Sequence, residues 1–145
     1  MRRRRRRRGQ ATVEFALVVP IFFMIVFGII DLGRAVYLFN GVSQAAREIA
    51  RATSVHPSAP LGSSPEAAAM ITLQRSLVPG INPGTAGIKF HCEDTSGNTI
   101  PGDGSGGCAA PDVVRVEVHA NYSPIALLGL GGSIDIASSS SNQVQ

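Results

Sequence analysis

The sequence predicts an α+β protein: a long N-terminal transmembrane-plus-stalk helix, then a small antiparallel sheet with one additional helix. Three observations carry this expectation. Seven consecutive arginines stand before an apolar run that a single acid, Glu14, interrupts. Apolar residues then recur at three- and four-residue steps as far as Thr53, the period of a helix. Short segments of alternating apolar and polar residues come only after residue 87, the period of strands. The predicted division is a basic cytoplasmic leader (1–9), a transmembrane and stalk helix (10–54) and a small extracytoplasmic α+β domain (55–145).

Arg2, Arg3, Arg4, Arg5, Arg6, Arg7 and Arg8 read as a topology signal, because lysines and arginines stay on the cytoplasmic side of a span. A contact with anionic lipid is another use of the same tract. The net charge of +3 comes from this tract, since the rest of the chain holds six cations against ten acids. A nucleic-acid binder spreads its cations over a folded face and mixes in stacking aromatics. Neither feature is present, so nucleic acid is not an expected partner.

Phe15 to Ile30 carries no charge and reaches about 24 Å as a helix, at about 1.5 Å per residue. Ala11–Glu14 lengthen it toward the ~30 Å of a hydrocarbon core. Pro20 removes one backbone donor in mid-run and is expected to kink or loosen the helix, which membrane helices tolerate. Tyr37 and Phe39 suit an interfacial belt. Asp31 and Arg34 lie three apart on one face and can pair there.

Beyond the span, Ala35, Leu38, Phe39, Val42, Ala45, Ala46, Ile49 and Thr53 form a narrow stripe for docking on a sheet. Gly41 and Ala45 add a small-residue pair for close helix approach. The helix should end near Ser54, before Pro57. Residues 55–63 are loop by composition. Ser64 then caps a second helix with Pro65 at its first position. That helix should run to Leu77 or Val78, with Ala67, Met70, Ile71, Leu73 and Leu77 as its core face. Strands are expected over Ile88–Cys92, Val113–Ala120 (Val114, Val116, Val118 and Ala120 inward) and Ser133–Ala137. A short strand near Thr99-Ile100 is an option. The apolar patch Ile125–Leu130 either covers the sheet edge or touches the membrane surface, and Ser138–Gln145 reads as a frayed tail.

Cys92 and Cys108 fall on the far side of the membrane if the arginines stay inside. That side is oxidising, so one disulfide is the natural reading, contributing on the order of 3 kcal/mol. Two unrelated buried thiols are the alternative. No histidine stands at finger spacing from them, so no metal is expected. Asp103-Gly104-Ser105-Gly106-Gly107 superficially resembles a serine-protease neighbourhood, but an extra glycine separates its acid and serine. His56, His91 and His119 sit in no local motif, so no catalytic residue is assigned and the chain does not read as an enzyme. Asp94, Asp103 and Asp112 with Glu93 are acids in glycine-rich turns. They lack the spacing of a calcium loop and read as solvated turn residues, so no cofactor is expected.

Glu14 is the residue with the sharpest consequence. A carboxylate at the centre of a span costs roughly 2.5–3.5 kcal/mol, less near the interface. It either lies at headgroup level among the arginines or awaits a cation from a partner. The second option needs cleavage after Gly9, which makes Gln10 the first residue, with a free α-amine. The amine of one subunit then meets Glu14 of the next and sets the axial register of stacked helices.

Gly9-x-x-x-Val13-Glu14-Phe15-Ala16-Leu17-x-x-Pro20, followed by Gly28-Ile-Ile-Asp-x-Gly33-Arg34, closely resembles the start of the TadE-like family, pseudopilins of the tight-adherence (Flp, type IVc) pilus system. The resemblance covers residues 9 to about 53 and beyond that only the layout. It implies an inner-membrane protein whose leader is removed by a prepilin-type peptidase between Gly9 and Gln10. Glu14, Phe15 and Pro20 then serve helix assembly and register. It also implies a minor pilin-like subunit or assembly factor acting in adherence with other pilin subunits and tad-type machinery. The rival expectations are a membrane-anchored binding or adhesin domain outside any filament, and a secreted protein released after a long signal peptide near Gly33-Arg34-Ala35.

Overall fold

A computed structural model describes residues 3–56, 59–84, 87–100, 108, 112–125 and 132–144, with backbone alone for 3–8. The expected protease-like segment 103–107 and most of the apolar patch, 126–130, lie outside the described residues. Among those described, the architecture is the expected one: a long apolar helix, a second helix and a three-stranded antiparallel sheet. The elements are α1 (Arg3–Ser54), α2 (Pro65–Leu77), β1 (Ile88–Glu93), β2 (Val113–Tyr122) and β3 (Ile134–Gln143), and the sheet order is β1-β2-β3.

Helix α1 is continuous over 52 residues and stays helical through Pro20. At about 1.5 Å per residue it spans about 78 Å. Its two halves face different surroundings. Residues 9–30 lie almost wholly exposed, and their side chains are apolar apart from Gln10, Thr12 and Glu14. From Asp31 onward one face is covered: Leu38, Val42, Ala45, Ala46, Ile49, Ala50 and Thr53 are buried. The stripe read from the sequence is this face, with one correction. Phe39 was placed on it and is instead 51% exposed. It stands one position past Leu38, where the 3.6-residue turn swings it off the sheet.

The buried half of α1 packs on β2 and β3. Val114, Val116, Val118 and Ala120 face it from β2 with no exposed surface, and Tyr122 continues the same alternation. On β3 the facing residues are Ile136, Ser138, Ser140 and Asn142, paired across the ladder with Ala120, Val118, Val116 and Val114. This corrects the frayed tail expected over 138–145, because the strand runs to Gln143. Small hydroxyl side chains on β3 and the buried Ala45, Ala46 and Ala50 on α1 suit a helix lying close to a sheet, so β3 needs no apolar alternation. Asn142 Nδ2 donates to Ser54 Oγ at 2.7 Å, fastening the end of α1 to the end of the sheet.

Ser64 caps α2, its hydroxyl accepting from the Ala67 amide at 3.2 Å, with Pro65 opening the helix. The expected core face is only half realised. Ala67 is buried, while Leu73 and Leu77 are 49% and 58% exposed. Gln74 and the C-cap Val78 take the inward positions instead. Val78 explains the rotation. A Cβ on Gly41 would meet its methyls at 3.2 and 3.3 Å, so α1 carries a glycine where the end of α2 presses closest.

Strand β1 pairs with β2 in the register Ile88↔Val118 to Glu93↔Val113. The optional strand appears as a bridge between Glu93 and Thr99. Cys92 and Cys108 form a disulfide with Cα atoms 5.7 Å apart, tying β1 to a residue that precedes β2.

Two outcomes test this packing by chemical denaturation in detergent. Ile49→Ala, at a site with no exposed surface, lowers unfolding free energy by about 2–5 kcal/mol. Replacing both cysteines by serine lowers it by about 3 kcal/mol.

Candidate functional site

Most residues singled out from the sequence fall into three separate places, and His56 and His119 lie apart from them. Gly9, Gln10, Glu14, Phe15 and Pro20 all lie exposed on the free half of α1. Glu14 Oε1 accepts from Gln10 Nε2 at 3.1 Å, one helical turn back, and Phe15 beside it is 69% exposed. The acid and the residue read as the new terminus therefore share one face of the helix, open to a neighbour. Of the leader, Arg3 to Arg8 continue α1 in backbone, and Arg2 lies outside the described residues.

The second place is the point where α1 passes from exposed to covered. Asp31 is 8% exposed. Its Oδ1 receives Arg34 Nη1 at 3.3 Å, the Ile125 amide at 3.0 Å and the Tyr122 hydroxyl at 3.2 Å. The one proton of that hydroxyl is shared with the Asp31 carbonyl oxygen, the nearer acceptor at 2.8 Å. The Arg34 guanidinium lies 5.5 Å from the Tyr122 ring centroid, a cation–π distance. The pair expected at 31 and 34 is thus the core of a larger cluster that joins the helix to the end of β2 and the chain beyond it. Tyr122 and Ile125 were not assigned to it from the sequence. The alternation of Val114, Val116, Val118 and Ala120 puts Tyr122 at the next inward position, and that signal marks it.

Burial, then the hydrogen bond to Asp31, raises the Tyr122 phenol above its ordinary 10.0. The folded state therefore holds this proton more firmly than the unfolded chain. The resulting stability is complete below pH 10 and declines as pH rises through the raised value.

The third place is the disulfide end of the sheet. Asp94, weighed above as a calcium ligand, spends its carboxylate on its own turn. Oδ1 accepts the Ser96 and Asn98 amides, each at 2.8 Å, and Oδ2 accepts Asn98 Nδ2 at 3.1 Å. The Asn98 bonds, backbone first, hold the Asp94 carboxyl below its usual 3.8. Glu93 is ion-paired to Arg115 across the ladder. His119 Nδ1 lies 2.8 Å from Asp135 Oδ2 and its Nε2 3.8 Å from Glu117 Oε2, a cross-strand set on the outer face. His56 pairs with Glu66 at the start of α2. Among the described residues no three His, Cys, Asp or Glu side chains group as a metal site.

Between α2 and β1 a cleft of about 560 Å³ has an apolar floor of Leu61, Ile71 and Phe90 and a rim of Arg75, Lys89 and His91.

Fold and site together define an α+β protein in which, among the described residues, one helix is long and apolar enough to cross a membrane, its apolar stretch unburied. The family comparison places it further. Residues 9–51, the exposed half-helix and most of the stalk, match the family model for TadE-like protein. No curated protein matches the chain, and no solved structure does.

Asp31→Ala removes the acceptor shared by three donors and lowers stability by about 2 kcal/mol or more, read by denaturation in detergent. Tyr122→Phe lowers it less and abolishes the alkaline decline, so the two stability–pH curves converge above pH 10.

Proposed function

We propose that the chain is a minor pilin-like (pseudopilin) subunit or assembly factor of a tight-adherence type IV pilus, with no enzymatic role. It sits in the bacterial inner membrane as a single-pass protein, arginines in the cytoplasm and sheet domain outside. The observation that carries this reading is an exposed acid, Glu14, on an otherwise apolar, exposed half-helix within the segment that matches the TadE-like family. Residues 9–30 extend about 33 Å at about 1.5 Å per residue, enough for a ~30 Å hydrocarbon core. The covered half begins where such a span would leave the lipid.

Within the bilayer the Glu14 carboxylate accepts from Gln10, a neutral partner that brings no counter-charge of its own. Cleavage after Gly9 by a prepilin-type peptidase creates an α-amine at Gln10 that is cationic below roughly pH 7.7–8.0. Intramolecular geometry already occupies the Gln10 side chain, so the amine of an adjacent subunit is the natural counter-charge for Glu14. Charge pairing in low dielectric rewards one axial offset between helices and penalises others. Partners on this reading are the lipid bilayer, other pilin or pseudopilin subunits and the tad-type assembly machinery.

A second reading, a membrane-anchored extracytoplasmic binding or adhesin domain that never enters a filament, is favoured by the cleft between α2 and β1.

Glu14→Ala should abolish pilus assembly in the native host while leaving the protein membrane-inserted, whereas the binding-domain reading expects no effect. N-terminal sequencing of the mature protein should begin at Gln10, and a start at Val36 or an uncut start would count against the proposal.

A further inference from the structure

Beside the Asp31 cluster the surface opens into a recess of about 440 Å³ lined by Arg34, Tyr37, Leu38, Asn121, Tyr122 and Ser123. We infer that this recess is a binding site for the phosphodiester headgroup of a membrane phospholipid, with Arg34 as the anion-binding group. The inference rests on the membrane-inserted reading above and adds a specific lipid contact to it.

Depth is the first argument. Arg34 lies four residues beyond Ile30, about 6 Å along the axis at about 1.5 Å per residue. The headgroup layer of a bilayer occupies about 5–8 Å beyond each side of the hydrocarbon. A span that ends at Ile30 therefore sets the guanidinium at phosphate level.

Available donors are the second argument. A guanidinium has five N–H groups in a fork that matches two oxygens of one phosphate. Arg34 directs Nη1 to Asp31 at 3.3 Å, and its side chain remains 47% exposed. Asp31 does not depend on Arg34 alone, because Ile125 and Tyr122 also donate to Oδ1. The arginine can thus engage a second anion without stranding the buried acid. The Tyr122 ring under the guanidinium holds its plane in place.

The walls are the third argument. Tyr37 is 67% exposed at the rim, an amphipathic ring of the kind that settles among headgroups. Ser123 offers a neutral hydroxyl on the lining, and Leu38 adds an apolar surface. The volume falls within the about 300–1,000 Å³ usual for small-ligand sites.

The test uses the full chain in a maltoside detergent, with phosphatidylglycerol added and retention read by native mass spectrometry. Wild type should keep one phosphatidylglycerol. Arg34→Gln and Ser123→Leu, the second filling the recess with Arg34 intact, should each reduce retention about tenfold. Arg47→Gln, an exposed arginine further along α1 bonded to Ser43 O, should leave it unchanged. Retention at the wild-type level by Arg34→Gln or by Ser123→Leu would overturn the site, as would wild-type retention of a galactosyl diacylglycerol, which has no phosphate, equal to that of phosphatidylglycerol. Displacement of the lipid by millimolar inorganic phosphate would overturn its lipid source. Flotation with phosphatidylglycerol-containing vesicles separates the two levels. Wild type that fails to float removes the membrane reading and this site together, whereas wild type that floats without Arg34-dependent retention removes this site alone.

Discussion

Asp31 accepts three donors at one oxygen, from its own helix, from the end of β2 and from the chain just past it. Everything on either side of it follows from that arrangement. From Phe15 to Ile30, α1 exposes apolar side chains on almost every side. After Asp31, the same helix is amphipathic and buries one face in a small core. A buried carboxylate is tolerable only where donors converge on it, and these donors come from elements far apart in sequence. The cluster therefore fixes the height along the rod at which the sheet docks.

The core above this junction is built for closeness rather than bulk. Alanines on α1 and serines on β3 keep the two packed elements small, and Gly41 admits Val78. The large buried side chains are few, with Ile49, Val42 and the β2 valines foremost. So small a core gains from the Cys92–Cys108 crosslink, which restrains the unfolded chain. The outer face of the sheet carries cross-strand ion pairs and hydroxyls, and the β3 edge is rich in serine. Polar edges of this kind discourage stray strand pairing.

Much of this was legible in the residues. The helical stripe from Leu38 to Thr53, the Ser64-Pro65 helix start, and the inward valines of β2 each announce themselves by period or by capping chemistry. The misses share a physical cause. Ser138 to Gln143 carries no apolar alternation, so nothing in hydropathy distinguishes a strand packed by small residues from a loose tail. The rotation of α2, which exposes Leu73 and Leu77 and buries Gln74, depends on the contact between Val78 and Gly41, which no local pattern encodes. Phe39 sits one step off the buried stripe, and its hydrophobicity misplaces it when the angular step is ignored. At the junction, the 31–34 spacing gives one pair, but Tyr122 and Ile125 join it only through the fold. For Glu14 the sequence supplies the anomaly, an acid amid apolar residues, and the fold adds that it stands open to a neighbour with Gln10 on the same face.

The continuity of α1 has a mechanical consequence. No loop or hinge separates its apolar half from the half that serves as the central element of the core. A pull along the rod is therefore delivered straight to the contact between α1 and the sheet, as shear across Val42, Ile49 and the valines opposite. The disulfide lies off that load path, between β1 and a residue before β2, and leaves that contact unreinforced. Under tension the rod would slide out of its sheet before the crosslinked end felt any strain, and the hydrogen bonds at Asp31 and Ser54 would act as the two latches that resist it.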